Sequence, residues 1–490
     1  MTRDAACYRG SEYPGTMMVT PLRLVRRAPP LLARVLLMNI LGHCHHDLPK
    51  YVVGNDTNSL DKITIVRRRD AMRPRSWERM KKPAVEKMTS DAGRTSAASA
   101  DFVAIAGLFR KIAKVLFFSL GALTLVFAVS AFFYNRFAHY ESELLAWPPQ
   151  PEFIAPVEWK PDNPDRVRIL SIDGGGVDGI VTLEILKYLE EQSGQAISKQ
   201  FDFITGTSTG AIITVGLLLT DGDRSPRYSA DELITAYTDL AQKILYAPLY
   251  HKILTLNGIL GPRLLNHAKI VVTHDIFADA RFADLSRPAL VPVFSRNVSG
   301  LETFRNWTDR GANIFIGPLV AAATSAPTYF PAVQLEGNDK QAGLYADAAL
   351  IVDNPAQLAF LHALQQHPDG DFVVVSLGTR HISDVSLRNG VSGGALDWLG
   401  PIRSMIANGQ KDLSTSALDI LQTTEKSYHL EAFRVAPEIP WDASQFDGSA
   451  ANIARLRRVA RDYIADHQEE FAKILELLQD QPERAGAGDR

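Results

Sequence analysis

The sequence predicts an α/β protein with a mostly parallel sheet, preceded by one transmembrane helix. Two observations carry the α/β assignment. Two buried-strand patterns are each followed by a glycine-containing turn and then by an apolar helix, and further strand patterns recur later in the chain. A third observation, an uncharged apolar run from Val115 to Tyr134, predicts the membrane helix. The strand patterns lie at 166–173, 201–205, 289–296, 302–307 and 371–379.

Charge divides the chain into a basic beginning and an acidic remainder. Residues 1–100 hold 18 Lys and Arg against 9 Asp and Glu, whereas the remaining residues hold 34 against 46. The region 1–110 shows little periodicity and is expected to be disordered. It contains no helix-turn-helix, zinc-finger or aromatic-interleaved basic pattern, so no nucleic-acid partner is expected.

Cysteine use excludes a disulfide framework or a thiolate metal site in the body of the protein. Both cysteines, Cys7 and Cys44, lie in the basic region. The cluster around Cys44, His43-Cys44-His45-His46, lacks a second ligand group at matching spacing and is interpreted as a polar cluster. We therefore expect no metal and no cofactor.

The apolar run at 115–134 has the length of a membrane span. At 1.5 Å per residue, about 20 helical residues cross the roughly 30 Å hydrocarbon core. Arg110, Lys111 and Lys114 precede the run and Arg136 follows it, which predicts a cytoplasmic N-terminal side and a catalytic domain on the outer side. Met88, followed by a short polar stretch and the span, is an alternative start. A proline-rich linker is expected at 135–166.

The first strand pattern leads into Asp173-Gly174-Gly175-Gly176-Val177-Asp178-Gly179, and an apolar helical face follows. Backbone N–H groups at such a helix start are suited to bind an anion. The glycines also fit the G-x-G-x-x-G pattern of dinucleotide-binding domains. That alternative is less favoured, because the second strand ends in a serine motif instead of an acid for the ribose.

The second strand pattern leads into Gly206-Thr207-Ser208-Thr209-Gly210. Serine between small residues at a strand-to-helix turn is typical of a nucleophile elbow. Ser208 is therefore the candidate nucleophile for an acyl group. The G-x-S-x-G pattern alone is not specific, so its neighbours decide the interpretation.

These two motifs, together with Ala326-Pro327-Thr328-Tyr329-Phe330-Pro331, Asp347-Ala348-Ala349 and Asp353-Asn354-Pro355, resemble the patatin-like phospholipases across residues 167–380. The resemblance implies an α/β/α sandwich and a Ser–Asp dyad that cleaves acyl esters of membrane lipids. It makes Ser208 the nucleophile and Asp347 the proton acceptor. It assigns the oxyanion hole to Gly174, Gly175 and Gly176, and it counts Gly179, Gly206, Gly210, Ala348 and Ala349 as further motif positions.

Two positions depart from the family pattern. Ala348 stands where the family has glycine, and a positive φ there would strain alanine and displace the base. Asp178 stands where the family has Arg or Lys, and its charge would disfavour anionic head groups. An alternative function is therefore a catalytically impaired scaffold or a signalling effector, and residues 226–237 also resemble bacterial patatins of the signalling kind. A histidine base is not needed, so His251, His274 and His381 are interpreted as surface residues.

Asp353 is the second candidate for the base, although a helix cap is the favoured interpretation of this residue. The region 381–490 is expected to be a helical extension, with a charged amphipathic helix pair at 451–478. Head-group preference, acyl-chain preference, positional selectivity and oligomeric state are left open by the sequence.

Overall fold

The computed structural model describes residues 95–137, 153–221, 225–336, 342–381, 395–424, 427–440 and 444–479. The chain divides into two units, Met1–Ile105 and Ala106–Arg490, and the site lies in the second. The predictions for residues 1–94 and for residues 138–152 of the proline-rich linker lie outside the described residues. The Cys44 cluster and Met88 are among them.

The predicted membrane span lies within a longer helix, α1, at Thr95–Phe137. Within the described residues, its segment Gly107–Arg136 is the one helix that is long and apolar enough to cross a bilayer. Only 6% of its most apolar window is buried by the rest of the protein, so its apolar side chains face outwards. A core helix of a folded domain would instead bury such a surface.

An eight-stranded sheet forms the centre of the second unit. Its strands are β1 Arg166–Ile172, β2 Phe203–Gly206, β3 Ala289–Ser295, β4 Gly300–Arg305, β5 Val333–Glu336, β6 Ala342–Asp347, β7 Asp371–Leu377 and β9 His429–Val435. They run in the order β5-β6-β3-β2-β1-β7-β9, with β4 paired to β3. The pairings from β3 to β9 along this order are parallel, and those of β4, β5 and β6 are antiparallel. The prediction of a mostly parallel α/β sheet is confirmed. Two short strands, β8 Arg380–His381 and β10 Glu438–Ile439, pair separately.

Helices cover both faces of the sheet. The neighbouring β1 residues Ile169 and Leu170 belong to different hydrophobic clusters, one on each face. This alternation produces the α/β/α arrangement, because successive strand side chains point in opposite directions. The remaining helices are α2 Gly179–Ser193, α3 Ile197–Gln200, α4 Thr209–Leu218, α5 Ala230–Ile244, α6 Leu249–Leu254, α7 Asn266–Phe277, α8 Asp309–Ala312, α9 Ile316–Ala323, α10 Ala356–Gln366, α11 Ala395–Thr423, α12 Ala450–Asp466 and α13 Gln468–Leu478.

The region after residue 381 is part of the same sheet. Strand β9 pairs with β7 along its whole length, from Asp371↔His429 to Leu377↔Val435. Helices α12 and α13 form the expected amphipathic pair, and their apolar faces join the larger hydrophobic cluster. The region expected as a helical extension therefore also supplies an edge strand.

Candidate active site

Ser208 occupies a strained turn between β2 and α4. Its φ of 53° and ψ of −118° lie where non-glycine residues are rarely found. The flanking glycines are required for close packing. A Cβ on Gly206 would lie 2.1 Å from the carbonyl oxygen of Gly210, and one on Gly210 would lie 2.4 Å from that of Ile172. The turn therefore presents the serine at the carboxyl end of the sheet, as a nucleophile elbow does.

Asp347, the last residue of β6, lies beside Ser208 in a buried position. Its Oδ1 accepts a hydrogen bond of 2.9 Å from the N–H of Ala349. Burial raises the pKa of this carboxyl to about 6, while the Ser208 hydroxyl, the Ala349 amide and the charge of Lys269 lower it. Among the described residues, Oδ2 has no partner with ordinary hydrogen-bond geometry. The Ser208 hydroxyl is nevertheless close enough to lower the pKa of this carboxyl.

Two expectations about the base concern strain at Ala348 and the role of Asp353. Ala348 is buried and does not adopt a positive φ, so the expected strain does not arise. Asp353 forms an ion pair of 3.1 Å with Lys411, and burial raises its pKa to about 7. It is not the cap of α10, because the side chain of Asn354 accepts the hydrogen bond from the N–H of Ala356 at 2.9 Å.

The glycine loop lies across from the serine. Gly176 has a φ of 58°, and a Cβ there would lie 2.2 Å from the carbonyl oxygen of Gln445. Both the backbone conformation and the lack of space therefore require glycine. The amide of Gly174 donates to the carbonyl of Asp353 at 3.0 Å and is thus already engaged. The amides of Gly175 and Gly176 donate to no acceptor in the parts of the chain that the structure describes.

The side chain of Asp178, which was expected to disfavour anionic head groups, is engaged inside the protein. Its side chain is buried, accepts a hydrogen bond from Thr379 and lies 2.5 Å from Nε2 of His381. The surface interpretation of the histidines is wrong for His251, which is fully buried, and for His381, which is partly buried in this pair. His274 is exposed, as expected.

Tyr237 is a site residue that the sequence did not reveal. Its hydroxyl donates to the carbonyl of Gly176 at 2.6 Å and also contacts the hydroxyl of Thr209. It thus connects the glycine loop to the start of α4. Burial raises the pKa of this phenol, so Tyr237 stays neutral at physiological pH.

A largely apolar cavity of about 90 Å³ opens beside Ser208. Its walls include Ile212, Leu240, Ile244, Thr273, Phe330 and Phe446. Lys269 is the charged residue in this lining. It could not be predicted from the sequence, because it lies in α7, outside every motif. Its Nζ donates to Ser325 Oγ at 2.7 Å and lies 4.2 Å from the centre of the Phe330 ring. Burial lowers the pKa of Lys269 to about 7.

A loop before α12 closes one side of the site. The N–H of Val177 donates to the carbonyl of Gln445 at 2.9 Å. The ring of Phe446 stacks on Tyr329 with a centroid distance of 3.5 Å. Within the described residues, no group of three or more His, Cys, Asp and Glu side chains is placed to hold a metal ion.

Comparisons with known proteins find one family over the region that contains this site. A family model described as "Patatin-like phospholipase" matches residues 170–360. "Patatin-like protein 2" of Oryza sativa subsp. indica is 25% identical over 366 residues, covering 65% of this chain and 85% of the relative. "Calcium-independent phospholipase A2-gamma" of Rattus norvegicus is 30% identical over 246 residues, covering 45% of this chain and 29% of the relative.

A bacterial relative is also similar. "cGAMP-activated phospholipase" of Escherichia coli (strain TW11681) is 29% identical over 238 residues, covering 44% of this chain and 63% of the relative. Residues 170–360 therefore form a domain of the patatin-like phospholipase family.

Proposed function

We propose that the protein is a membrane-anchored lipid acyl hydrolase in which Ser208 is the nucleophile and Asp347 the proton acceptor. The observation that carries the proposal is the placement of a strained serine beside a buried carboxyl group, at the edge of an apolar cavity. The cavity suits an acyl chain, because its walls are mostly hydrophobic. The substrate class is therefore an ester of a fatty acid in a membrane lipid.

The first half-reaction forms an acyl-enzyme. Asp347 takes the proton of the Ser208 hydroxyl while Oγ bonds to the ester carbonyl carbon, and the carbonyl oxygen becomes an oxyanion. The unengaged amides of Gly175 and Gly176 are the proposed donors to this oxyanion. The C–O bond to the alcohol then breaks, and the proton on Asp347 passes to the leaving alcohol oxygen.

The second half-reaction releases the fatty acid. Water gives a proton to Asp347 and attacks the acyl carbon, the same amides stabilise the second oxyanion, and the proton returns to Ser208 as its bond to carbon breaks. One water is consumed for each ester, and Ser208 and Asp347 are regenerated. The raised pKa of Asp347 supports this role, because a base that titrates at about 6 can accept and return a proton near neutral pH.

The proposed anchor is α1, with its N-terminal side in the cytoplasm and the catalytic domain on the outer side. The support is the length and apolar character of Gly107–Arg136 and the excess of Lys and Arg before its uncharged run, 115–134. A reporter enzyme fused after Arg490 tests the orientation, since one that works only in the cytoplasm would contradict it.

The Ser208→Ala variant tests the chemistry. Purified full-length protein is expected to release fatty acid from phospholipid vesicles and to react with a fluorophosphonate probe. Ser208→Ala is expected to lose both, by about 10³-fold or more in rate, because the nucleophile is absent. Ser286→Ala, at an exposed serine, is the matched control and should keep both.

Two outcomes would overturn the assignment. Equal fatty-acid release by wild type and Ser208→Ala would exclude Ser208 as nucleophile. A wild-type protein that neither reacts with the probe nor releases fatty acid would favour the impaired scaffold instead.

A further inference from the structure

An exposed apolar patch lies next to the end of α1. It comprises Tyr246, Leu249, Tyr250, Ile253, Leu256, Ile259 and Leu260, and we call it the 246–260 patch. Ile259 is 80% exposed and Leu249 is 73% exposed. Seven large apolar side chains within 15 residues far exceed the scattered exposure of an ordinary surface, and such a patch marks a contact with a protein or a membrane.

The patch is attached to the C-terminal end of the apolar helix. The hydroxyl of Tyr134 lies 2.6 Å from Nδ1 of the buried His251, and the side chain of Asn135 donates to the carbonyl of Leu254 at 3.1 Å. The rings of Tyr134 and Tyr250 also contact each other edge to face. The patch therefore begins where the proposed span leaves the hydrocarbon core.

The charges around the patch favour a lipid surface over an apolar protein face. No Asp or Glu occurs from residue 240 to 274, whereas Lys243 and Lys252 are exposed there and Arg263 is half-buried. Lys252 is exposed within the patch. Exposed tyrosines, aliphatic side chains and a lysine are the residues that settle at the boundary between hydrocarbon and anionic head groups.

The patch also leads to the mouth of the cavity. The N–H of Arg263 donates to the carbonyl of Thr328 at 3.0 Å, and that of Leu264 donates to the carbonyl of Tyr329 at 2.7 Å. Tyr329 stacks on Phe446, which lines the cavity beside Ser208. A bilayer in contact with the patch would therefore lie beside the entrance of this cavity.

We propose that the 246–260 patch is a second membrane contact, inserted at the interface of the same bilayer that α1 spans. It rests on the proposed function for the anchor and for the lipid substrate. It adds that the catalytic domain contacts the bilayer directly, in addition to its connection through α1. The patch holds the cavity entrance against the bilayer, so an acyl chain enters without crossing bulk water.

Fluorescence quenching in lipid nanodiscs tests the contact directly in the full chain. Cys7→Ser and Cys44→Ser remove the natural thiols, and one cysteine is introduced for a bimane label by Ile259→Cys, Val298→Cys or Leu123→Cys. Val298 is the control, being 62% exposed but lying in the β3–β4 turn. Lipids with a nitroxide near the head group should quench the label at position 259 at least about twofold more than at 298. Lipids with a deep nitroxide should quench the label at position 123.

The labels separate the two proposals. Quenching at position 259 supports the membrane contact of the patch, whatever the result at position 123. An unquenched position 123 contradicts only the proposal that α1 spans the bilayer. Equal, weak quenching at 259 and 298 overturns the contact. If position 123 is quenched in that case, the anchor survives.

Activity provides the second measurement. Leu249→Glu combined with Ile259→Glu should lower hydrolysis of anionic vesicle lipids by about tenfold or more, because two apolar insertions are lost. Hydrolysis of a water-soluble short-chain ester should be unchanged, as should both activities of Val298→Glu. Loss on both substrates, or on neither, would contradict the contact.

Discussion

At the scale of single residues, the site depends on the Asp347 carboxyl group, whose burial disfavours its charged form. Asp347 is buried, and desolvation raises its pKa to about 6. Three groups act in the opposite direction: the Ser208 hydroxyl, the Ala349 amide and the Lys269 ammonium. Of these, only Lys269 carries a charge, and it does so from within the apolar cavity. Its contribution is therefore to keep the base ionised.

The activity should consequently depend on pH with a single acid limb. A base must be unprotonated, so kcat/KM for a water-soluble ester should rise with pH through about 6. Lys269 is charged over this range, because its pKa is about 7. Lys269→Met removes a nearby positive charge, so the pKa of Asp347 should increase and the limb should move up by roughly one pH unit.

Lys199→Met, at an exposed lysine, is the control for this measurement and should leave the limb in place. A Lys269→Met profile that is unmoved, or displaced to lower pH, would show that Lys269 does not act on the base. A purely structural loss would lower the plateau without moving the limb.

At the scale of elements, the sequence predicted the parts of the site that depend on local pattern. The strand–glycine–helix and strand–serine–helix units were predictable, because their glycines are needed by contacts within a few residues or with the adjoining strand. Gly206, for example, is needed because Gly210 lies against it. The parallel pairing at the centre of the sheet and the helices on both faces follow from the same alternation of strands and helices.

The parts that could not be predicted depend on packing between distant elements. Tyr237 reaches Gly176 across 61 positions, and Lys269 reaches Ser325 across 56. Each lies in a helix, and neither a tyrosine nor a lysine at such a position indicates a contact with a distant loop. The loop around Gln445 likewise meets the glycine loop only after the C-terminal region has folded onto the domain. Family spacing was also a poor guide to strain, since Ala348 occupies an ordinary backbone conformation.

At the scale of the whole molecule, the catalytic unit extends beyond the residues that the family model matches. The family match ends at residue 360, yet β9 and α11 supply two cations beneath the glycine loop. Arg434 donates to Asp173 at 2.8 and 2.5 Å, and Lys411 lies 3.4 Å from the same carboxylate. Asp173 immediately precedes the glycines, so the C-terminal region fixes the loop that would bind the oxyanion.

This dependence predicts that Arg434 contributes far more to stability than Arg380 does. The pair of Arg434 with Asp173 is nearly buried, with side-chain exposures of 17% and 1%, whereas the pair of Arg380 with Asp412 is half exposed on both sides. Arg434→Met leaves a buried carboxylate with only Lys411 to compensate it and should lower the free energy of unfolding by about 3–5 kcal/mol. Arg380→Met should lower it by less than about 1 kcal/mol.

Chemical denaturation of the full chain in detergent micelles, followed by tryptophan fluorescence, measures both changes. The expected cost of Arg434→Met arises because the buried Asp173 carboxylate loses its partner. The double variant Arg434→Met with Asp173→Asn removes that charge and should therefore recover part of the lost stability. Equal destabilisation by Arg434→Met and Arg380→Met would mean that the C-terminal region is held by its apolar faces alone. In that case the charge network would contribute to the geometry of the glycine loop without stabilising the fold.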